Sequence, residues 1–199
     1  MAVSEVSICS NALGLVGEKP ITSLQDSTAR ARLCNRWYEI VRDALLEEHS
    51  WNFAVARVAL NKLAVTPAFD YDYAFQLPND YLRVLDTSPK NVSFVIENGK
   101  QLLTNEPAIS IKYIQKVTDP LKFSRNFVMA LQTRLALVFT NFLAARGSLI
   151  DRIAAMEQQA ILRAKRTDGQ EQYPEIIQSD DLIDVRTAVS SSIPEPDNL

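Results

Sequence analysis

Residues 27–60, STARARLCNRWYEIVRDALLEEHSWNFAVARVAL, constrain the fold most, because hydrophobic periodicity changes within them. Ala31, Cys34, Tyr38, Val41 and Leu45 recur at alternating spacings of three and four, which puts them on one stripe of an α-helix with Ser27 as its expected N-cap. Leu33, Trp37, Ile40 and Ala44 form a second apolar stripe beside the first. That face is wider than one packing partner requires, so the helix is expected to meet at least two neighbours. After Glu47–Ser50 the pattern becomes Trp51, Phe53, Val55, a period of two, which predicts an extended segment from 51 to about 60.

The same reasoning organises the flanks. Ser4 caps an expected first helix over 4–16, with Val6, Cys9, Leu13 and Val16 on its inner stripe and Gly17 ending it. GEKPITSLQD (17–26) reads as a loop pinned by Ile21 and Leu24 between antiparallel helices. Ser124 opens a third helix carrying Val128, Leu131, Leu135, Val138, Phe142 and Ala145, and Gly147 suits its C-terminal exit. Ser148 and Asp151 then start a fourth helix over 149–167 with Leu149, Ile153, Met156 and Ala160 inward.

Between the helical pairs the signals are those of strands. YLRVLD (81–86) and ISIKYIQ (109–115) alternate, and VSFVIENGKQLLT is a hairpin whose Asn98-Gly99 suits the two positive-φ positions of a type I′ turn between 92–97 and 100–104. The stretch 61–80 reads as a loop holding Phe69, Tyr71, Tyr73 and Phe75. Aromatics so dense must be covered, since each can bury about 150 to 250 Å², by the chain itself or by another subunit. The expected architecture is α+β. A four-helix bundle (1–50 and 120–167) carries one small antiparallel sheet inserted between helices two and three (51–119), followed by an extended acidic tail (168–199).

The tail holds eight acids against Arg186 alone, a net of −7 that leaves +4 for residues 1–167. Such a segment cannot bury enough apolar surface to fold by itself. No apolar run reaches the ~18 residues of a membrane span, and the N-terminal sequence lacks the basic start of a signal peptide, so a cytoplasmic origin and no membrane partner are expected. Cys9 and Cys34 lie on apolar stripes, which favours buried free thiols.

Chemistry is hard to find. His49 stands alone beside Glu47 and Glu48, with no HExxH and no G-x-S-x-G, and the Gly14–Lys19 segment does not match a phosphate loop. Asp70 with Asp72, and Asp180 with Asp181 and Asp184, read as solvated acidic loops. Arg30, Arg32, Arg36 and Arg42, and Lys112, Lys116, Lys122 and Arg125, make basic spots without the run that drives phosphate binding. No catalytic residue, metal site or cofactor is expected.

Taken together, ICSNALGLVGEKPITSL, RDALLEEHSWNFAVAR, YAFQLPNDYLRVL, ENGKQLLTNEP and IKYIQKVTDPLKFSRNFVMALQTRLA resemble the tail tubular protein A, or head-to-tail adaptor, family of short-tailed phages over residues 4–167. The resemblance implies a structural virion protein at the head-tail junction, in a ring, commonly of twelve copies. Such a ring joins the portal protein to the tail nozzle, with tail fibres as a further partner, and duplex DNA passes non-specifically through a lumen expected to be acidic or neutral. It implies no catalytic residues. Candidate interface residues are Trp51, Phe53, Phe69, Tyr71, Tyr73 and Phe75, with Tyr173, Ile176, Ile177, Leu182 and Ile183 of the tail, which is expected to order on a neighbouring subunit or on the portal. The competing classes are a small hydrolase using His49 with carboxylates and a monomeric nucleic-acid-binding module.

Overall fold

The structure is a computed structural model that describes residues 3–143 and 147–171. Its elements run α1 (Glu5–Leu15), α2 (Ala29–Glu48), β1 (Val55–Ala59), β2 (Asn61–Lys62), β3 (Tyr73–Gln76), β4 (Tyr81–Ser88), β5 (Phe94–Glu97), β6 (Gln101–Thr104), β7 (Ser110–Gln115), α3 (Arg125–Thr140) and α4 (Gly147–Gln170). Short 3₁₀ turns precede β1 (Asn52–Ala54) and α3 (Pro120–Lys122).

Local chemistry sets the helix ends. Ser4 and Ser7 form a reciprocal cap at the start of α1, and Gly17 at φ 83° lets the N–H of Glu18 donate to Leu13 O at 2.9 Å, closing the other end. Ser10 Oγ meets both backbone groups of Ile21, so the loop to α2 is tied down. Thr28, one residue after the expected Ser27, caps α2 by accepting from the Ala31 N–H, and Ser124 caps α3 through the Phe127 N–H.

Helix α3 is the centre of the helical layer and touches the other three helices. Phe127, Ala130, Leu131, Leu135, Ala136 and Phe139 are all inaccessible, as expected of a helix surrounded on most sides. It ends at Thr140, earlier than the expected exit at Gly147, and Gly147 instead begins α4. Helix α4 outlasts its expected end at 167 and takes in Asp168, so the tail does not begin at 168.

The single inserted sheet is overturned. The strands form two antiparallel sheets, one of three strands ordered β1-β7-β4 and one of four ordered β2-β3-β6-β5. The layout differs because YAFQ, expected as loop, pairs with β6 (Phe75 opposite Leu102), while β1 and β2, separated only by Leu60, join different sheets. The three-stranded sheet is the middle layer. Ala56, Val58, Ile111, Tyr113 and Val84 face the four-stranded sheet and share a core with Phe75, Leu77 and Leu102. Val55, Ile114, Leu82 and Leu85 instead face the helical core. Strand alternation thus lets one sheet serve two cores. In the β5–β6 hairpin Asn98 (φ 50°) and Gly99 (φ 68°) supply the left-handed pair, as their sequence predicts.

Candidate interaction surfaces

Helix α2 separates its two apolar stripes. Ala31, Cys34, Tyr38, Val41 and Leu45 are buried, whereas Leu33 and Trp37 are only half-buried and Ile40 is 56% exposed. No element of the described chain seals this second stripe. Phe142, itself 53% exposed, lies against Trp37 at 5.7 Å between ring centroids. The Trp37 indole N–H is shielded and has no acceptor among the described residues.

The aromatic corner belongs to the core. Trp51 has no accessible surface, donates its indole N–H to Leu45 O at 2.8 Å and packs edge-on to Phe127 at 5.1 Å. Phe53 is half-buried between Phe127 (5.0 Å) and Phe123 (5.7 Å). Trp51 is therefore corrected from interface to interior. The period-two run read as an extended segment from residue 51 begins instead with a 3₁₀ turn (Asn52–Ala54) and is extended only from Val55, and both rings pack against Phe127 of α3.

In the region of the expected aromatic loop the four residues part company. Phe75 is 1% exposed, so it too leaves the interface set. Tyr73 is half-buried in β3 with the Lys62 ammonium 3.6 Å from its ring centre, and Tyr71 is half-buried. Only Phe69 stands out, 77% exposed, beside Val65 at 76%. Both border a concavity of about 570 Å³ whose walls include Leu63, Pro67, Tyr71 and Leu103. The alternation in Tyr73-Ala74-Phe75-Gln76 was the available signal for a strand. Tyr173, Ile176, Ile177, Leu182 and Ile183 lie outside the described residues.

A polar knot fixes the corner between α2 and β1. The Asp168 carboxylate accepts the Asn52 backbone N–H at 3.0 and 3.3 Å, and the Asn52 side-chain amide donates to Asp168 O at 2.7 Å. His49 Nε2 is 3.4 Å from the same carboxylate, and its ring meets Trp51 edge-on at 4.8 Å. Burial holds the His49 pKa below its ordinary value, against the pull of Asp168, and burial raises that of Asp168. Asp168 was missed as a structural residue because the charge pattern assigned it to the tail. The Asp168–Asn52 hydrogen bonds tie the end of α4 to the segment before β1, with His49 beside them.

The basic spots also divide. Arg42 is buried, bound to Asp43 Oδ1 at 2.8 Å with its guanidinium 5.7 Å from the Tyr38 ring centre, so it cannot meet a polyanion. Asp43 also holds Lys116 at 2.9 Å, and Arg30 pairs with Glu18 at 3.3 Å. Cys9 and Cys34 are free and buried. Among the described residues no group of three or more potential metal ligands converges, and no helix is long and apolar enough to cross a membrane. No protein-family model and no curated protein matches the chain.

Proposed function

We propose that the chain is a structural subunit of a head-to-tail adaptor ring in a short-tailed phage, joining the portal to the tail nozzle around the DNA channel. The observation that carries this reading is a pair of unlike apolar surfaces in different layers of the molecule. One is the α2 stripe with Ile40, Trp37 and Phe142; the other is the 63–71 loop with Phe69 and Val65. Contiguous exposed apolar groups mark contact sites. Two different patches on one chain suit heterologous contacts, which close into a ring when the rotation permits. The motifs quoted above for the adaptor resemblance support the same reading.

The test is assembly. Ile40→Glu and Phe69→Glu, each on an exposed position, should leave the monomer folded and prevent its incorporation on portal-bearing heads. Labelling of virions carrying the gene should place the wild-type protein in the collar between head and tail. Absence from the collar, or unimpaired assembly of both variants, overturns the proposal.

A further inference from the structure

The middle sheet extends beyond its helical cover. On its helix-facing side the paired rows are Val55–Ile114–Arg83, then Arg57–Lys112–Asp86, then Ala59–Ser110–Ser88. The first row includes Val55 and Ile114 of the helical core, whereas Arg57, Ala59 and Ser88 are exposed and Lys112, Asp86 and Ser110 half-exposed. The outer rows form a shelf of about 330 Å³, bordered by Thr87 and Lys90 as well. Arg57 and Lys112 sit directly opposite each other across β1 and β7, a placement that repels. Asp86 is held by Lys90, and its carboxyl is kept below the ordinary value by that ammonium and by the Thr87 N–H. Among the described residues that line the shelf, Asp86 is paired with Lys90, and Arg57 and Lys112 are two further bases.

The position of the chain's exit supplies the complement. The Asp168 knot pins the end of α4 to Asn52, five residues before Arg57, so the shelf lies within about 17 Å of it, the span that five residues would have if fully extended. Beyond Glu171 come 28 residues holding Glu175, Asp180, Asp181, Asp184, Glu195 and Asp197 against the single base Arg186. Tethering at this separation gives an effective concentration on the order of millimolar, ahead of any other copy in dilute solution. Among the described residues β1 is an edge strand of its sheet, which offers backbone groups beside the shelf to an extended segment.

We propose that the Arg57–Lys112 shelf is a docking site for the chain's own acidic C-terminal segment, residues 172–199. The contact covers the shelf in the free subunit and can be exchanged for a stronger basic surface on a partner. It does not depend on the adaptor reading.

The experiment is hydrogen–deuterium exchange of the full-length chain, followed in residues 172–199. At low salt the amides around Asp180–Asp184 should exchange about tenfold more slowly than an unstructured chain, as for a segment docked nine-tenths of the time. High salt should remove the protection, because the contact is an exposed ionic one. Arg57→Glu with Lys112→Glu should remove it at all salts, and Asp180→Lys with Asp181→Lys and Asp184→Lys in that background should restore it. The single variant Arg57→Gln should weaken it if the double variant fails to fold. Exchange at the unstructured rate in wild type, protection indifferent to the shelf variants, or absence of rescue overturns the proposal. So does protection that falls on dilution, which would assign the segment to a second copy. Duplex DNA that binds wild type and not the shelf variant, with the segment unprotected in both, would make the shelf a phosphate contact instead.

Discussion

Replacing Asp168 with alanine tests the corner that joins the last helix to the first strand. The carboxylate is 5% exposed and accepts the Asn52 N–H at 3.0 Å, so its removal takes that acceptor away in a half-buried site. A hydrogen bond to a charged group contributes about 1.5 to 3 kcal/mol, and desolvation of this carboxylate, seen in its raised pKa, offsets part of that. The expected loss is about 1 to 2 kcal/mol. Asp168→Asn keeps an acceptor for Asn52 and should lose about half as much. Urea unfolding followed by circular dichroism reads the effect as a lower midpoint at unchanged slope. Exchange of residues 49–54 and 165–171 should accelerate before the rest of the helical layer. A change in Asp168→Ala within about 0.5 kcal/mol, the range of an ordinary surface substitution, would refute the bracing role.

The same corner should respond to pH. His49 has a folded pKa below its ordinary 6.5, so the unfolded chain takes up the proton first; this contribution is full above 6.5 and is lost as pH falls through 6.5 toward the folded value. The raised pKa of Asp168 works the opposite way, adding stability below 3.8 that is lost as pH rises from 3.8 toward the folded value. Denaturation midpoints at about pH 7.5 and 5.5 should differ in wild type and converge in His49→Gln. Phe75→Ala should cost about 3 to 5 kcal/mol and Phe69→Ala less than about 0.5, by the same urea titration; equal costs would show that burial has been misassigned between them. Gly17→Ala has room for its methyl group, so its cost is the strained φ of 83° alone, about 1 kcal/mol in thermal unfolding.

Legibility followed the range of the forces. The caps at Ser4 and Ser124, the exit at Gly17 and the Asn98-Gly99 turn depend on side chains within a few residues of the backbone they satisfy, and all four could be read directly. The buried stripe of α2 was legible for the same reason, since 3.6-residue periodicity is local. Candidate surface residues were harder. Trp51 and Phe69 are both aromatics beside breaks in periodicity, and only packing against Phe127 or its absence makes one core and the other surface.

The sequence by itself determined that four helices and the Asn98-Gly99 turn form, and which residues are greasy enough to be buried. Tertiary structure decided what covers them: that Tyr73–Gln76 pairs with Gln101–Thr104 in a second sheet, that Asp168 reaches back across the chain to Asn52, and that Leu33 and Trp37 are covered in part while Ile40 is left open. Strand pairing and the choice among apolar faces are settled by contacts between residues far apart in the chain, and a periodicity records which face is apolar without recording what meets it.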